Sequence, residues 1–128
     1  MHHKYVKVDD YTIRLPEGLR LIDLAALDRE ESRGKKADYK VTFNSKCGEI
    51  IVLIEVTGVP EIRDIKKVEA RGVVVKIIHH SGGVRTPVSQ LARKYKIALL
   101  NCSSNNYIDL ELVFINYYKE LYNKCKYT

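Results

Sequence analysis

Four short segments of the chain have the apolar and polar spacing of β-strands. Residues 4–8 and 11–15 alternate around a pair of aspartates and predict a small hairpin. Residues 38–44 and 49–57 are joined by the four-residue loop Ser45-Lys46-Cys47-Gly48 and predict a second, longer hairpin. The sequence therefore predicts two antiparallel hairpins.

The side chains of the second hairpin fix its register, because paired residues point to the same face of a sheet and a core needs one apolar face. If Asn44 pairs with Glu49, the pairs on one face are all apolar: Phe43 with Ile50, Val41 with Val52, and Tyr39 with Ile54. The same register places Asp38 opposite Glu55. Opposed residues have Cβ atoms roughly 5 Å apart, so two carboxylates are expected to meet at one end of the hairpin.

The segments around this hairpin have helical or continuous apolar spacing. Leu21, Leu24 and Ala25 predict a first helix that begins after Pro16 and ends near Gly34. Further elements follow in chain order: a helix from Pro60 to Gly72, a buried strand over residues 73–78, a helix after Thr86-Pro87, a strand over residues 97–100 and a last helix over roughly residues 107–124. Because the last helix is apolar on most of its circumference, we expect it to be buried between elements or in a partner, and to support a homodimer.

The composition is typical of one globular domain over residues 1–128. Of the 128 residues, 45% are apolar and 30% are charged, which excludes a disordered or fibrous chain. There is no run of about 18 apolar residues, so no membrane-spanning helix is predicted. The first ten residues carry charges where a signal peptide has an apolar stretch, and a cytoplasmic location is expected.

A single glutamine beside abundant Lys, Glu, Ile, Val and Tyr is typical of a heat-adapted archaeon or its virus.

The three cysteines, Cys47, Cys102 and Cys125, are odd in number and far apart. Their spacing matches neither a disulfide framework nor paired metal ligands. We therefore expect idle or buried thiols in a reducing compartment.

An excess of basic residues points to a class of partner. Twenty-two Lys and Arg against sixteen Asp and Glu leave a formal charge of +6, a field that attracts polyanions such as nucleic acid or an anionic membrane surface. Of these, nucleic acid, in particular DNA, is the expected partner, without a membrane. The candidate contacts are Lys35 and Lys36, in a basic turn before the second hairpin, and Arg85, before a predicted helix. A solvated loop charge is an equally good interpretation of Arg85.

Two segments of the second hairpin form a pair of motifs. In Ala37-Asp38-Tyr39-Lys40-Val41 an Asp opens a strand, and in Ile51-Val52-Leu53-Ile54-Glu55-Val56-Thr57 an apolar strand carries a Glu near its end. These segments resemble the motifs of the PD-(D/E)xK nuclease superfamily, particularly archaeal Holliday-junction resolvases. With the order of elements over about residues 17–101, the resemblance implies a restriction-endonuclease-like fold. That fold is a three-layer α/β sandwich, in which a central mixed sheet contains the antiparallel hairpin and is flanked by helices.

The resemblance implies a divalent-metal-dependent endonuclease that acts on DNA, including branched DNA. Asp38 and Glu55 would be its metal ligands, because Mg²⁺ and Mn²⁺ prefer carboxylate oxygens and also bind phosphate. Such an ion would lower the pKa of a bound water and offset charge on the phosphate. In this superfamily a further carboxylate often comes from the first helix, for which the sequence offers Glu17, Glu30 and Glu31 without choosing among them.

Two positions depart from the superfamily pattern. Ala37 replaces the proline, which is a common and harmless variation, and Thr57 stands where the lysine is expected. A threonine can hold a water molecule but brings no cation. Lys40 is the first candidate for the missing cation, because the hairpin register puts it on the same face as the two carboxylates. Lys66 and Lys67, on the following predicted helix, are the alternatives.

Other interpretations of the same residues remain open. Asp38 could simply cap the basic turn before its strand, or pair with Lys35 or Lys36. Glu55 favours a site, because it interrupts an apolar strand where an unpaired charge would be costly. Thr57 favours a nuclease-like domain without catalysis that binds nucleic acid or supports assembly. The apolar last helix favours a protein-interaction subunit with no role in nucleic-acid binding.

Overall fold

The computed structural model describes residues 4–27, 36–101 and 106–128, which form an α/β protein with two sheets and four helices. The elements in chain order are β1 (Tyr5–Val8), β2 (Tyr11–Arg14), β3 (Arg20–Ala26), β4 (Tyr39–Ser45), β5 (Gly48–Thr57), α1 (Ile62–Val68), β6 (Val75–His80), α2 (Thr86–Lys94), β7 (Ile97–Asn101), β8 (Tyr107–Asp109), α3 (Leu110–Tyr117) and α4 (Lys119–Cys125). No helix in the described ranges is long and apolar enough to span a membrane.

The larger sheet is mixed, as predicted, with strand order β3-β4-β5-β6-β7. Strands β3, β4 and β5 are antiparallel, whereas β5, β6 and β7 run parallel. One face packs Leu53 and Ile78 against apolar residues of α1 and α2. The other face packs Phe43 and its neighbours against Phe114 of α3, against α4 and against the small sheet β1-β2-β8. The central sheet therefore has a hydrophobic core on each side.

The register predicted for the second hairpin is confirmed. The observed pairs are Tyr39 with Ile54, Lys40 with Leu53, Val41 with Val52, Phe43 with Ile50 and Asn44 with Glu49. The apolar face is buried throughout. The small hairpin of β1 and β2 is also confirmed.

The predicted first helix is wrong over residues 20–26, because they form strand β3, which pairs with β4. The rest of its predicted C-terminal part, residues 28–34, lies outside the described residues. A β-bulge inserts one extra residue between Leu21 and Asp23, so that Leu21 pairs with Phe43 and Leu24 pairs with Val41. Because the bulge shifts the alternation by one residue, Leu21 and Leu24 lie on the same face of the strand at a helical spacing. A bulged strand has thus reproduced the sequence pattern of a helix turn.

The predicted last helix is correct only in part. Its first three residues form β8, which pairs with β2 in parallel, and the rest is divided into α3 and α4 at Tyr118. The side chain of Asp109 caps α3 by accepting a hydrogen bond from the Leu112 N–H at 3.0 Å. The hydroxyl group of Tyr118 is buried against the backbone of Lys76 and Lys96. Most apolar residues of these helices are therefore buried in the protein's own core.

The expectation of idle thiols is wrong for two of the three cysteines. Cys47, in the β4–β5 turn, and Cys125, at the end of α4, form a disulfide across 78 residues. The backbone supports the same junction, because the Lys46 N–H donates to the carbonyl of Cys125 at 2.7 Å. Disulfides are typical of oxidising compartments and of intracellular proteins from hyperthermophiles. Cys102 lies outside the described residues.

Candidate active site

Asp38 and Glu55 meet at one end of the hairpin, as the register predicted. Asp38 directly precedes β4, and its Oδ2 accepts a hydrogen bond from the Val56 N–H at 2.7 Å, which holds it beside β5. Glu55 lies near the carboxyl end of β5, next to the parallel strand β6. Ligand sites of open α/β sheets commonly form at this carboxyl edge.

The side chain of Glu55 is buried on the sheet face covered by α1, and the residue is only 2% exposed. Its Oε2 accepts a hydrogen bond from Lys67 Nζ at 2.8 Å. Its Oε1 is buried and has no hydrogen-bond partner among the described residues. Leaving a carboxylate oxygen unsatisfied in a dry interior is costly. Only a proton or a cation satisfies that oxygen, because neighbouring ionised carboxylates have no hydrogen to donate.

Helix α1 brings Lys67 and a third carboxylate, Asp64, to the same place. Asp64 is 2% exposed, and its Oδ2 accepts a hydrogen bond from the Glu61 N–H at 2.8 Å, which caps the helix. Its Oδ1 lies 3.6 Å from Lys67 Nζ. The ammonium group is thus held between Glu55 and Asp64, and both Asp38 and Asp64 lie within hydrogen-bonding reach of Glu55.

Burial and neighbouring charge strongly perturb this cluster. Burial, and then the proximity of Asp38, raise the pKa of Glu55 to about 8, although Lys67 opposes the shift. Burial by itself would lower the pKa of Lys67, but the Glu55 carboxylate, with Asp64 and Asp38, raises it. Near neutral pH and without a further cation, Glu55 therefore holds a proton while Lys67 is charged. Perturbed groups in a cluster of this kind are typical of functional sites.

The structure brings Lys67, and not Lys40, to the carboxylates. Lys40 pairs with Leu53 in the sheet, and it has no hydrogen bond or ion pair with any carboxylate of the described residues. Thr57 ends β5 and pairs with His80 of β6, so it lies on the same face as Glu55 at the edge of the sheet. The predicted carboxylates and a lysine are therefore present together, but the lysine is Lys67 from helix α1, one of the two alternatives, and not Lys40 from the hairpin.

Asp64 is the residue that sequence reasoning missed. Glu61 and Asp64, three residues apart after Pro60, form a capping box, and that spacing is visible in the sequence. The spacing predicts a helix start, but it does not show that the second carboxylate is buried beside a strand.

The remaining candidate residues lie around or away from this cluster. Lys36 is exposed two residues before Asp38, and Arg85 is exposed at the N-cap of α2. Glu17 precedes β3, and its backbone contacts Glu111 and Tyr122 near the C-terminal helices, not the Asp38 cluster. Lys35, Glu30 and Glu31 lie outside the described residues.

The donor set of Asp38 and Glu55 fits a hard divalent cation. Both are carboxylates, which Mg²⁺ and Mn²⁺ prefer, and Oε1 of Glu55 is a free acceptor once Glu55 has lost its proton. In the part of the chain that the structure describes, no group of three or more His, Cys, Asp or Glu is arranged to hold a metal ion. Such an ion would therefore depend on two carboxylates, with water and substrate oxygens as further ligands.

Comparisons with models of protein families, with curated protein sequences and with solved structures found no match for this chain.

Proposed function

We propose that this protein is a divalent-metal-dependent nuclease that hydrolyses DNA phosphodiester bonds, with a restriction-endonuclease-like arrangement of its central sheet. The observation that supports the proposal best is the unsatisfied Oε1 of Glu55, buried in a cluster with Asp38 and Lys67. A purely structural ion pair would satisfy both oxygens of a buried carboxylate. The free Oε1 is instead satisfied by the proton that Glu55 holds near neutral pH, or by a cation that replaces this proton.

In this proposal Asp38 and Glu55 hold Mg²⁺ or Mn²⁺. When bound, the ion lowers the pKa of a coordinated water and offsets charge on the phosphate. Asp38 is oriented for this role, because one of its oxygens is fixed by the Val56 N–H and the carboxylate has further lone pairs to offer. Glu55 must lose its proton to bind a cation, so its raised pKa makes cation binding pH-dependent.

Lys67 supplies the positive charge that Thr57 does not. Its ammonium group has three donors, and Glu55 and Asp64 account for two directions. The remaining N–H can donate to a phosphate oxygen or orient the attacking water. The hydroxyl group of Thr57, at the edge of the sheet, can hold a water molecule. Lys36 and Arg85, both exposed, are available to contact the DNA backbone.

A nicking assay on supercoiled DNA, with Mg²⁺ or Mn²⁺, tests this function. Asp38→Asn and Glu55→Gln conserve size and remove one metal ligand each, so both should abolish nicking. Glu49→Gln, an exposed glutamate on the same strand, is the matched control and should nick normally. Equal nicking activity in the wild type and these three variants would exclude Asp38 and Glu55 as catalytic metal ligands.

The second candidate is a nuclease-like domain without catalysis. It is favoured by the ion pair of Lys67 with Glu55 Oε2, in which the ammonium group neutralises the carboxylate without a metal ion, and by Thr57 in place of the superfamily lysine. In that case the protein binds nucleic acid or supports assembly, and a homodimer through the C-terminal helices belongs to this proposal. Leu112 and Ile115, 49% and 44% exposed on α3, are available for such a contact. Light scattering of the wild type and of Leu112→Glu distinguishes a dimer from a monomer. Binding without any metal-dependent nicking, even after Thr57→Lys, would favour this candidate.

A further inference from the structure

A groove lies at the opposite end of the parallel strands from the Asp38 cluster. It is formed by α2, the start of β7 and the junction of α3 with α4, and it has a volume of about 780 Å³. Among the residues that line it are Val74, directly before β6, and Ile97, the first residue of β7. Glu55 pairs with Ile78 of β6, which lies four residues beyond Val74. With a rise of about 3.3 Å per residue, the two sites are therefore about 13 Å apart along the strands.

The rim of this groove is positively charged. Arg93, Lys96 and Lys119 line it, and all three are exposed. None of them forms an ion pair with a described Asp or Glu. Glu120 is the one acidic residue among the described residues that line the groove. These cations line one groove, and no described carboxylate of the protein pairs with them. Such an arrangement favours a polyanionic ligand.

An aromatic side chain favours a nucleic acid over a peptide in this groove. Tyr117 lines it and is 50% exposed, so its ring is accessible to a ligand. The edge strand β7 could in principle accept an added peptide strand. However, the Tyr117 hydroxyl lies 3.5 Å from the carbonyl oxygen of Leu99, so this side chain stands at the outer edge of β7 and obstructs such pairing. A second copy of the chain would bring the same three cations together, which disfavours it.

We propose that this groove binds single-stranded DNA. Arg93, Lys96 and Lys119 contact successive phosphates, and Tyr117 stacks on a base, which is the combination that single-strand binding sites use. The choice of DNA over RNA rests on the proposed function, whereas the groove itself does not depend on cleavage. A nuclease with this groove would hold an unpaired segment of its substrate at a distance from the site of cleavage.

Fluorescence anisotropy of labelled oligo(dT) in EDTA measures this binding without cleavage. The triple variant Arg93→Gln, Lys96→Gln, Lys119→Gln should reduce the slope of log K against log salt by about 2, and weaken binding about 100-fold at about 0.1 M salt. The control Lys4→Gln, Lys7→Gln, Lys46→Gln makes the same change in net charge at exposed positions elsewhere. If both triple variants weaken oligo(dT) binding equally, the binding depends on the net charge of the protein and not on the groove, and the proposal is overturned.

Tyr117 provides a second test that does not depend on charge. Tyr117→Ala should weaken oligo(dT) binding about tenfold, whereas Tyr117→Phe keeps the ring and should bind normally. Tighter binding of oligo(U) than of oligo(dT), or equal competition by polyglutamate, would overturn the assignment to DNA. Asp38→Asn should retain full oligo(dT) binding, so loss of nicking and loss of groove binding are separate results. A groove variant that binds oligo(dT) like the wild type would overturn the groove proposal alone.

Discussion

Lys67 Nζ lies 2.8 Å from Oε2 of Glu55, and the two side chains are only 14% and 3% exposed. The residues are 12 positions apart, and the helix that follows β5 brings them together. One carboxylate oxygen of Glu55 thus faces an ammonium group, while the other has no donor among the described residues. The proposed chemistry depends on this asymmetry between the two oxygens of Glu55.

Glu55 should make the stability of the protein fall as pH rises. Its pKa is raised from 4.5 to about 8, so the folded state binds the proton more tightly than the unfolded state does. The resulting stabilisation is fully present below about pH 4.5 and is lost as pH rises through about 8. In Glu55→Gln, which resembles the protonated form, this part of the pH dependence should disappear. Urea denaturation of both proteins across that range measures the difference.

Glu49→Gln is the control for this measurement, since Glu49 is exposed on the same strand. It should keep the pH dependence of the wild type. If the unfolding midpoints of the wild type and Glu55→Gln stay parallel over the whole range, Glu55 is ionised in the folded protein and the raised pKa is wrong.

Lys67→Met should lower kcat for DNA nicking about 100-fold, the usual effect of removing one donor to a transition state. Lys40→Met should leave kcat unchanged, because Lys40 contacts neither carboxylate. Steady-state nicking kinetics of the two variants compare lysines that lie on the same side of the sheet. The opposite result, with loss of activity only in Lys40→Met, would return the role to the lysine that the hairpin register favours.

The hairpin was predictable because alternation along two facing strands admits one register with an apolar face. That register brings Asp38 to Glu55, and both the pairing and the meeting of the carboxylates are observed. The cation was not predictable in the same way. Lys67 reaches Glu55 from a helix, and its direction depends on how α1 is rotated against the sheet, which spacing along the chain does not fix.

Strand β3 and the disulfide show two further limits of sequence reasoning. The bulge after Leu21 gives a strand the spacing of a helix, so periodicity alone predicts the wrong element. Cys47 and Cys125 are 78 residues apart, and only the packing of α4 beside the β4–β5 turn brings them together. In both cases tertiary contacts decide what local pattern leaves ambiguous.

The disulfide should contribute strongly to stability. A cross-link that closes a loop of this length lowers the conformational entropy of the unfolded chain and so raises its free energy by about 4 kcal/mol. Reduction of the wild type, or the double substitution Cys47→Ser and Cys125→Ser, should therefore lower the free energy of unfolding by about that amount. Urea denaturation with and without dithiothreitol measures it. The stability of the double variant should not change with dithiothreitol. If dithiothreitol destabilises both proteins equally, its effect does not come from the Cys47–Cys125 disulfide.

Binding of Mn²⁺ should release a proton, because Glu55 must ionise before its free oxygen can act as a ligand. With a pKa of about 8, Glu55 is mostly protonated near pH 7, so about one proton should be released for each ion bound. Calorimetric titrations in buffers of different ionisation enthalpy count that proton without any assay of activity. Glu55→Gln should bind Mn²⁺ weakly and release none, whereas Lys40→Met should behave like the wild type. A binding enthalpy that is identical in every buffer would show that Glu55 does not bind the ion through a deprotonated carboxylate.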